Sequence, residues 1–205
     1  MDVIFDIDGT LLDITHRLHH LNLSESTPNS ERKGKKDWKA FRDPELKKLD
    51  EPRLPILETL LALHAVGNRI ILASGRIESE REATVNSLRN AFDSEHFEVY
   101  SSSADTKTYP LKDRMLHIFD FHSWPVSRGI TEFTPSTAAE NLEIPFYMRA
   151  DNDYRPDTEV KSDMLDQMHK DGYNPTMAFD DRPSVIRMWK ERGLVVANVG
   201  PQKEF

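Results

Sequence analysis

Acidic, hydroxyl and cationic side chains fall at the ends of four short apolar runs. Val3-Ile4-Phe5 leads into Asp6, Asp8 and Gly9, and Arg69-Ile70-Ile71-Leu72-Ala73 leads into Ser74, Gly75 and Arg76. Ile144-Pro145-Phe146-Tyr147-Met148 leads into Arg149 and Asp151, and Met177-Ala178-Phe179 into Asp180 and Asp181. Polar residues after a strand are also ordinary turn and cap residues, so any one of these places carries little weight. Four together, with Lys161 on a neighbouring helix, describe a site. Carboxylates a few ångströms apart raise one another's pKa unless a cation sits among them. An all-oxygen set suits Mg²⁺, which takes one or two carboxylates and completes its shell with water and substrate phosphate. Mg²⁺ with Arg and Lys is what phosphoryl transfer needs, because catalysis there is positioning and charge stabilisation.

The elements that must hold these groups are readable from periodicity. The four runs read as buried strands of a parallel sheet, whose ligands bind at the carboxyl ends of the strands. Leu57, Leu60, Leu61 and His64 give a helix over Leu54 to Val66, with Gly67 placed to stop it. Helices are also expected over Glu78 to Phe92, over Asp157 to Lys170 ahead of Gly172, and from Pro183 onward, where Val185, Ile186, Met188 and Trp189 form an apolar face. Val195-Val196-Ala197 closes the series. The alternation predicts an α/β fold, a central parallel sheet flanked by helices, as a single domain over residues 1–205. Two stretches break the rhythm and read as insertions, about 13–53 and about 90–143, the second with a possible helix from Pro110 to Phe119.

Composition narrows the classes. The 205 residues carry 27 Lys+Arg against 35 Asp+Glu, a net charge of −8, and 9% aromatic content is too high for a disordered chain. One core suffices at this length. No apolar run reaches the span of a membrane helix, and the first residues have neither the basic nor the long apolar region of a signal peptide. With no Cys, neither disulfides nor thiolate metal sites are expected, which fits a reducing cytoplasm. The acidic total argues against a general nucleic-acid coat, whose affinity would come from Lys and Arg.

Asp6-Ile7-Asp8-Gly9-Thr10-Leu11-Leu12 resembles the first motif of haloacid-dehalogenase-type phosphatases. Ser74-Gly75-Arg76 resembles their second motif, Lys161 the third and Asp180-Asp181 the fourth, in the right order. Arg17, eleven residues after Asp6, is also similar to a subfamily pattern, as are the run from Arg149 through Asp153 and Arg155 to Asp157 and the sequence Asp180-Asp181-Arg182 ahead of Met188-Trp189. That pattern is the 3′-phosphatase domain of bacteriophage polynucleotide kinase. No GxxxxGK[ST] loop, the mark of the kinase half, is present. The stretch between Arg76 and Arg149 is longer than the phage domain needs.

The resemblance implies a Rossmann-like fold with a small cap inserted after the first strand. It implies Asp6 as nucleophile, Asp8 as general acid and base, and Lys161 as a catalytic cation. Thr10, Arg17, Ser74, Gly75, Arg76, Arg149, Asp157 and Arg182 would bind substrate. Mg²⁺ would be held by Asp6, Asp180, Asp181 and Asp8, the last through its backbone carbonyl. Arg17 and Arg76 are alternatively structural ion-pair partners, and Asp157 a helix N-cap. The cytoplasm is the expected location, a host's if the chain is phage-encoded.

Residues 31–48 hold eight basic side chains against four acidic ones, +4 in a chain of −8. With Trp38 and Phe41, this segment reads either as a surface that tracks a phosphodiester backbone and offers a stacking face, or as a solvated helix. His16, His19, His20, His117 and His122 match no HExxH or His-Asp pattern and read as surface or cap residues. The leading expectation is a Mg²⁺-dependent phosphatase of 3′-phosphorylated polynucleotide ends. The alternative is a nucleotidase of the same fold acting on free nucleoside monophosphates, and a non-catalytic binding module is a third reading. No protein partner, membrane association or oligomeric state is read from the sequence.

Overall fold

A computed structural model of the protein describes residues 1–21, 36–92 and 144–200. Its centre is a five-stranded sheet built from β1 (Asp2–Phe5), β4 (Arg69–Ile77), β5 (Phe146–Arg149), β6 (Pro175–Asp180) and β7 (Val195–Asn198), in the order β5-β4-β1-β6-β7. Every pairing is parallel. The chain winds outward from β1 through β4 to β5, then starts again on the other side with β6. The point where the direction reverses lies between β1 and β6, and in open α/β sheets that crevice is where ligands bind.

Period-two alternation decides what each face of the sheet buries. Val3, Phe5, Leu72 and Phe179 point to one side and pack with Leu57, Leu60 and Leu61 of α3 (Leu54–Ala65) and Leu88 of α4 (Arg81–Phe92). The Phe5 and Phe179 rings stack across the strands at 4.4 Å. Ile4, Ile71, Ala73 and Ala178 point to the other side. They meet Val160, Met164, Leu165 and Met168 of α5 (Asp157–Lys170) and Val185, Met188 and Trp189 of α6 (Pro183–Glu191). Burying each of these large side chains stabilises the fold by about 1.5–3 kcal/mol relative to leaving it exposed, and the pattern fixes strand register because a one-residue slip would turn the set outward.

Two local departures from the sequence reading matter for the site. The strand expected to stop at Ala73 continues through Ser74, Gly75 and Arg76 to Ile77. Its register with β5 shifts between Ser74 and Ile77, and an irregularity of this type re-aims side chains at a strand end. The helix expected from Glu78 begins as a 3₁₀ turn, Glu78–Glu80, before α4.

Between β1 and α3 the chain makes an excursion. β2 (Leu12–Asp13) pairs antiparallel with β3 (Glu51–Pro52), so the segment leaves and returns at one place. A 3₁₀ helix (Thr15–Leu21) and two short helices, α1 (Trp38–Phe41) and α2 (Pro44–Lys47), lie between them. Asp37 caps α1 by accepting from the Ala40 N–H at 2.9 Å, and Asp43 caps α2 by accepting from the Glu45 N–H at 2.9 Å. Ile14, Leu21 and Phe41, with Leu18, form a small separate core. The other expected insertion, about 90–143, lies outside the described residues from residue 93 on, as do the Pro110–Phe119 helix, His117 and His122. Among the described residues, no helix is long and apolar enough to cross a membrane.

Candidate active site

β1 and β6 lie side by side, so the residues that follow them meet. The backbone N–H of Asp6 donates to the Phe179 carbonyl at 3.0 Å, which fixes the exit from β1 against β6. Carboxylate oxygens of Asp6, Asp180 and Asp181 fall within 4.8 Å of one another, and all three residues are buried. Lys161, one turn into α5 and 3% exposed, donates to Asp6 Oδ1 and to Asp180 Oδ2, each at 2.8 Å. Trp189 Nε1 of α6 also donates to Asp180 Oδ2 at 3.2 Å, and Asp180 Oδ1 accepts from the Arg182 backbone N–H at 3.1 Å. Burial pushes Asp6 well above the usual carboxylate range; Lys161 offsets part of this, while Asp180 and Asp181 add to it. Burial, reinforced by Asp180, pushes Asp181 up to about 7 despite Lys161 and Arg182. The carboxylates hold Lys161 above its ordinary value against the opposing pull of burial. One ammonium therefore leaves this group short of positive charge. A hard, oxygen-preferring divalent cation fits such a donor set, and the residues that could hold it are Asp6, Asp180 and Asp181.

The turn after β1 tolerates one residue type at its centre. Gly9 has φ +82°, and a Cβ there would run into the Asp181 carboxylate. A glycine serves both needs. Arg53, at the entry to α3, donates to the Gly9 carbonyl and to the Val199 carbonyl, tying this turn to the end of β7.

The Asp8 carboxylate stands outside the cluster of three and meets a pair of guanidinium groups. Arg17 Nη2 donates to Asp8 Oδ1 at 2.7 Å, and Arg76 Nε donates to Asp8 Oδ2 at 3.0 Å. Burial alone would raise Asp8, but Arg76 and Arg17 outweigh it and hold the carboxyl well below the usual range. Asp50 grips both arginines from behind: it accepts from Arg17 Nε at 2.7 Å and from Arg76 Nη2 at 2.8 Å, and its side chain is fully buried. Arg17 also lies over the Phe41 ring at 4.3 Å. Sequence reasoning missed Asp50, which stands in the excursion with no strand behind it; the β2–β3 pairing brings it back beside β1. Trp189, read as part of an apolar face and of the subfamily pattern, was missed as a donor to Asp180.

Asp157 is not a helix cap. It is the first residue of α5, after Pro156, and its two oxygens accept from Arg149 and Arg182. Burial raises it, and Arg182, Lys161 and Arg149 more than reverse the shift, so it lies low. Gly75 allows this approach, since a Cβ there would stand 3.0 Å from Asp157 Oδ1. Arg149 Nε also donates to the Gly75 carbonyl at 3.1 Å. Ser74 is buried, and its Oγ accepts from the Arg76 N–H at 3.1 Å. Thr10 is buried with its hydroxyl unpaired.

Most of these groups border one cavity of about 600 Å³. Asp6, Asp8, Arg17, Gly75, Arg76, Arg149, Asp157, Lys161, Asp180, Asp181 and Arg182 all line it, together with Lys36, Trp38 and Arg42 from the excursion. Ser74 and Thr10 are not in its wall. His16 and His19 turn to the Leu46 and His16 carbonyls, at 2.9 Å each, and no His joins the carboxylate cluster among the described residues.

Residues 128–203 match the family described as the polynucleotide kinase phosphatase domain. Among solved structures, the chain resembles one component of the Pnkp1/Rnl/Hen1 RNA repair complex at 20% identity and TM-score 0.55, over 98% of this chain and 43% of that one. A second structure of that complex gives 20% identity and TM-score 0.54, over 98% and 46%. This chain thus spans less than half the length of either. A haloacid dehalogenase-like hydrolase from Streptococcus pneumoniae resembles it at 12% identity and TM-score 0.51, over 95% of this chain and 82% of that one. No curated protein matches the chain by sequence. A parallel sheet with the acidic motifs at the carboxyl ends of its central strands gives this chain the haloacid-dehalogenase-like fold, and its C-terminal part resembles the phosphatase domain of polynucleotide kinases.

Proposed function

We propose that the chain removes phosphate from the 3′ ends of polynucleotides, a Mg²⁺-dependent hydrolysis passing through an aspartyl-phosphate on Asp6. The carrying observation is the pairing of two carboxylates of opposite character two residues apart on one cavity. Asp6 is held by Lys161, and Asp8 is held by Arg17 and Arg76. The substrate class rests on the likeness of residues 128–203 to the polynucleotide kinase phosphatase domain.

In this reading an Asp6 oxygen attacks phosphorus, the bond to the 3′ oxygen breaks, and Asp8 gives that oxygen a proton. Water then attacks phosphorus and loses its proton to Asp8. The bond to Asp6 breaks, freeing inorganic phosphate and restoring the carboxylate. Asp6, Asp180 and Asp181 would hold Mg²⁺, whose positive charge would be supplied to the phosphoryl oxygens. Lys161 steadies Asp6 through its other contact to Asp180. Ionised between two arginines, Asp8 suits the base role as it stands. For the acid role, the arriving phosphate dianion competes for Arg17 and Arg76 and so lets Asp8 take up a proton. Arg149 and Arg182, aligned by Asp157, present further cationic surface to the substrate.

Phosphate release in the presence of Mg²⁺ from a 3′-phosphorylated oligonucleotide, a 3′-mononucleotide and a 5′-mononucleotide tests the reading. The oligonucleotide is expected to turn over fastest. Faster turnover of a mononucleotide favours the nucleotidase reading, for which the cavity's volume is sufficient. Asp6→Asn is expected to abolish release; an active Asp6→Asn enzyme contradicts the aspartyl-phosphate.

A further inference from the structure

The mechanism uses Arg17 of the excursion and leaves Lys36, Trp38 and Arg42 of the same wall without a role. There, Trp38 is 42% exposed although the cavity's wall includes it. Its edge meets the Phe41 ring at 5.9 Å in a T-shaped contact, and Phe41 is in turn buried under Arg17. The indole is therefore mounted on the same assembly that holds Asp8. Lys36 and Arg42 both lie 5.5 Å from its ring centre. Each cation thus lies over the ring within cation–π reach, and both are long side chains able to swing aside to a phosphate when a base takes the ring. Tyr154, from the loop between β5 and α5, brings a second ring to the same cavity and is 85% exposed.

Large exposed aromatics gain little from water, and a ring flanked by cations is the pattern that binds single-stranded nucleic acid: bases stack on the ring while Lys and Arg take the backbone. Two other basic residues of this segment are committed elsewhere. Lys47 is buried against Glu80 at 2.7 Å, and Lys48 pairs with Glu45 at 2.6 Å. Resting on the 3′-phosphatase reading, we propose that Trp38 is the stacking platform for a nucleobase near the substrate's 3′ end, with Lys36 and Arg42 contacting the adjoining phosphodiester. The platform makes the enzyme select a nucleic-acid end over a small phosphomonoester.

Trp38→Ala, Trp38→Phe and the unaltered protein are compared on three substrates with Mg²⁺: a 3′-phosphorylated single-stranded oligonucleotide, the same oligomer with abasic sites at its last two positions, and glycerol phosphate. Trp38→Ala is expected to raise KM for the intact oligomer about tenfold, the order that base–aromatic stacking contributes, with kcat nearly unchanged and Trp38→Phe recovering most of the loss. The abasic oligomer and glycerol phosphate lose this dependence. An equal rise in KM on all three substrates overturns the platform, as does an unchanged KM on the oligomer. Binding is read separately in an Asp6→Asn background, which does not turn over. There the oligomer quenches tryptophan emission, and the quench disappears when Trp38→Phe is added. Failure of the 3′-phosphatase reading shows differently, as no phosphate release from the oligomer by the unaltered protein.

Discussion

Asp8 and Asp6 are two residues apart and live in opposite electrostatic surroundings. Burial among like charges raises Asp6, whereas two arginines hold Asp8 low. A pair of carboxylates pushed apart in this way is how one site assigns separate roles to chemically identical groups. Asp8→Asn keeps the shape and removes the proposed proton acceptor, so kcat is expected to fall by about 10²–10⁴-fold with KM little changed, measured by steady-state phosphate release. Asp50 acts one step back. Asp50→Ala leaves the Arg17 and Arg76 guanidiniums buried with half their acidic partners gone, a loss of about 3–5 kcal/mol expected by analogy with broken buried ion pairs and read by urea denaturation. An Asp50→Ala protein as stable as the parent would show that Asp8 alone holds both arginines.

Each element contributes through its end. β1 stops where Gly9 takes a positive φ, β6 stops at Asp180, and α5 opens with Asp157 and sets Lys161 one turn in. The turn after β1 has the least latitude. Gly9→Ala meets both an unfavourable backbone region and the Asp181 carboxylate, so it is expected to cost about 1–2 kcal/mol and to weaken Mg²⁺ binding by displacing Asp181. Isothermal titration with Mg²⁺ checks the second effect separately from thermal unfolding, which checks the first. An Ala variant that binds Mg²⁺ as the parent does would place Asp181 outside the metal site.

Across the whole molecule, the distribution of charge governs behaviour more than the total of −8. The acidic body concentrates buried carboxylates at one sheet edge, and the excursion sets Lys36 and Arg42 on the same cavity. Asp6 and Asp181 have folded pKa values raised above the ordinary 3.8, to about 7 for Asp181. The folded chain therefore holds protons that the unfolded chain has released. That contribution to stability is fully present below about pH 4 and is lost as pH rises towards 7 and above. Asp8 and Asp157 are shifted the other way, and their contribution is lost only in more acidic solution. In chelator, Tm is expected to fall between pH 5 and pH 8, measured by calorimetry. Added Mg²⁺ is expected to raise Tm more at pH 8 than at pH 5, because the metal competes with those protons. An increment of Tm that is independent of pH would remove Asp6 and Asp181 as ligands. Oligonucleotide binding is expected to weaken as salt rises, with a shallower slope for Arg42→Gln.

Strands, helices and the motif residues at their ends are legible in the chain because each is local. A run such as Val3-Ile4-Phe5 buries on both faces wherever the sheet lies, and Pro183 starts a helix whatever that helix packs against. Composition and periodicity therefore place Asp6, Lys161 and Asp180 on the right elements. Which carboxylate meets which cation is not local. Asp8 pairs with Arg76 across 68 positions, Arg17 with Asp50 across 33, and Lys161 with Asp6 across 155. These choices depend on strand order and on an excursion whose two ends pair with each other. Asp157 reads either as a substrate-binding carboxylate or as a cap in one dimension, and sits between two arginines in three. Trp189 reads as core, and its indole N–H finds Asp180 only once α6 packs on the sheet. A sequence states which charges exist and on which element each one stands, but pairing in a low-dielectric interior is decided by proximity, which the tertiary fold alone supplies.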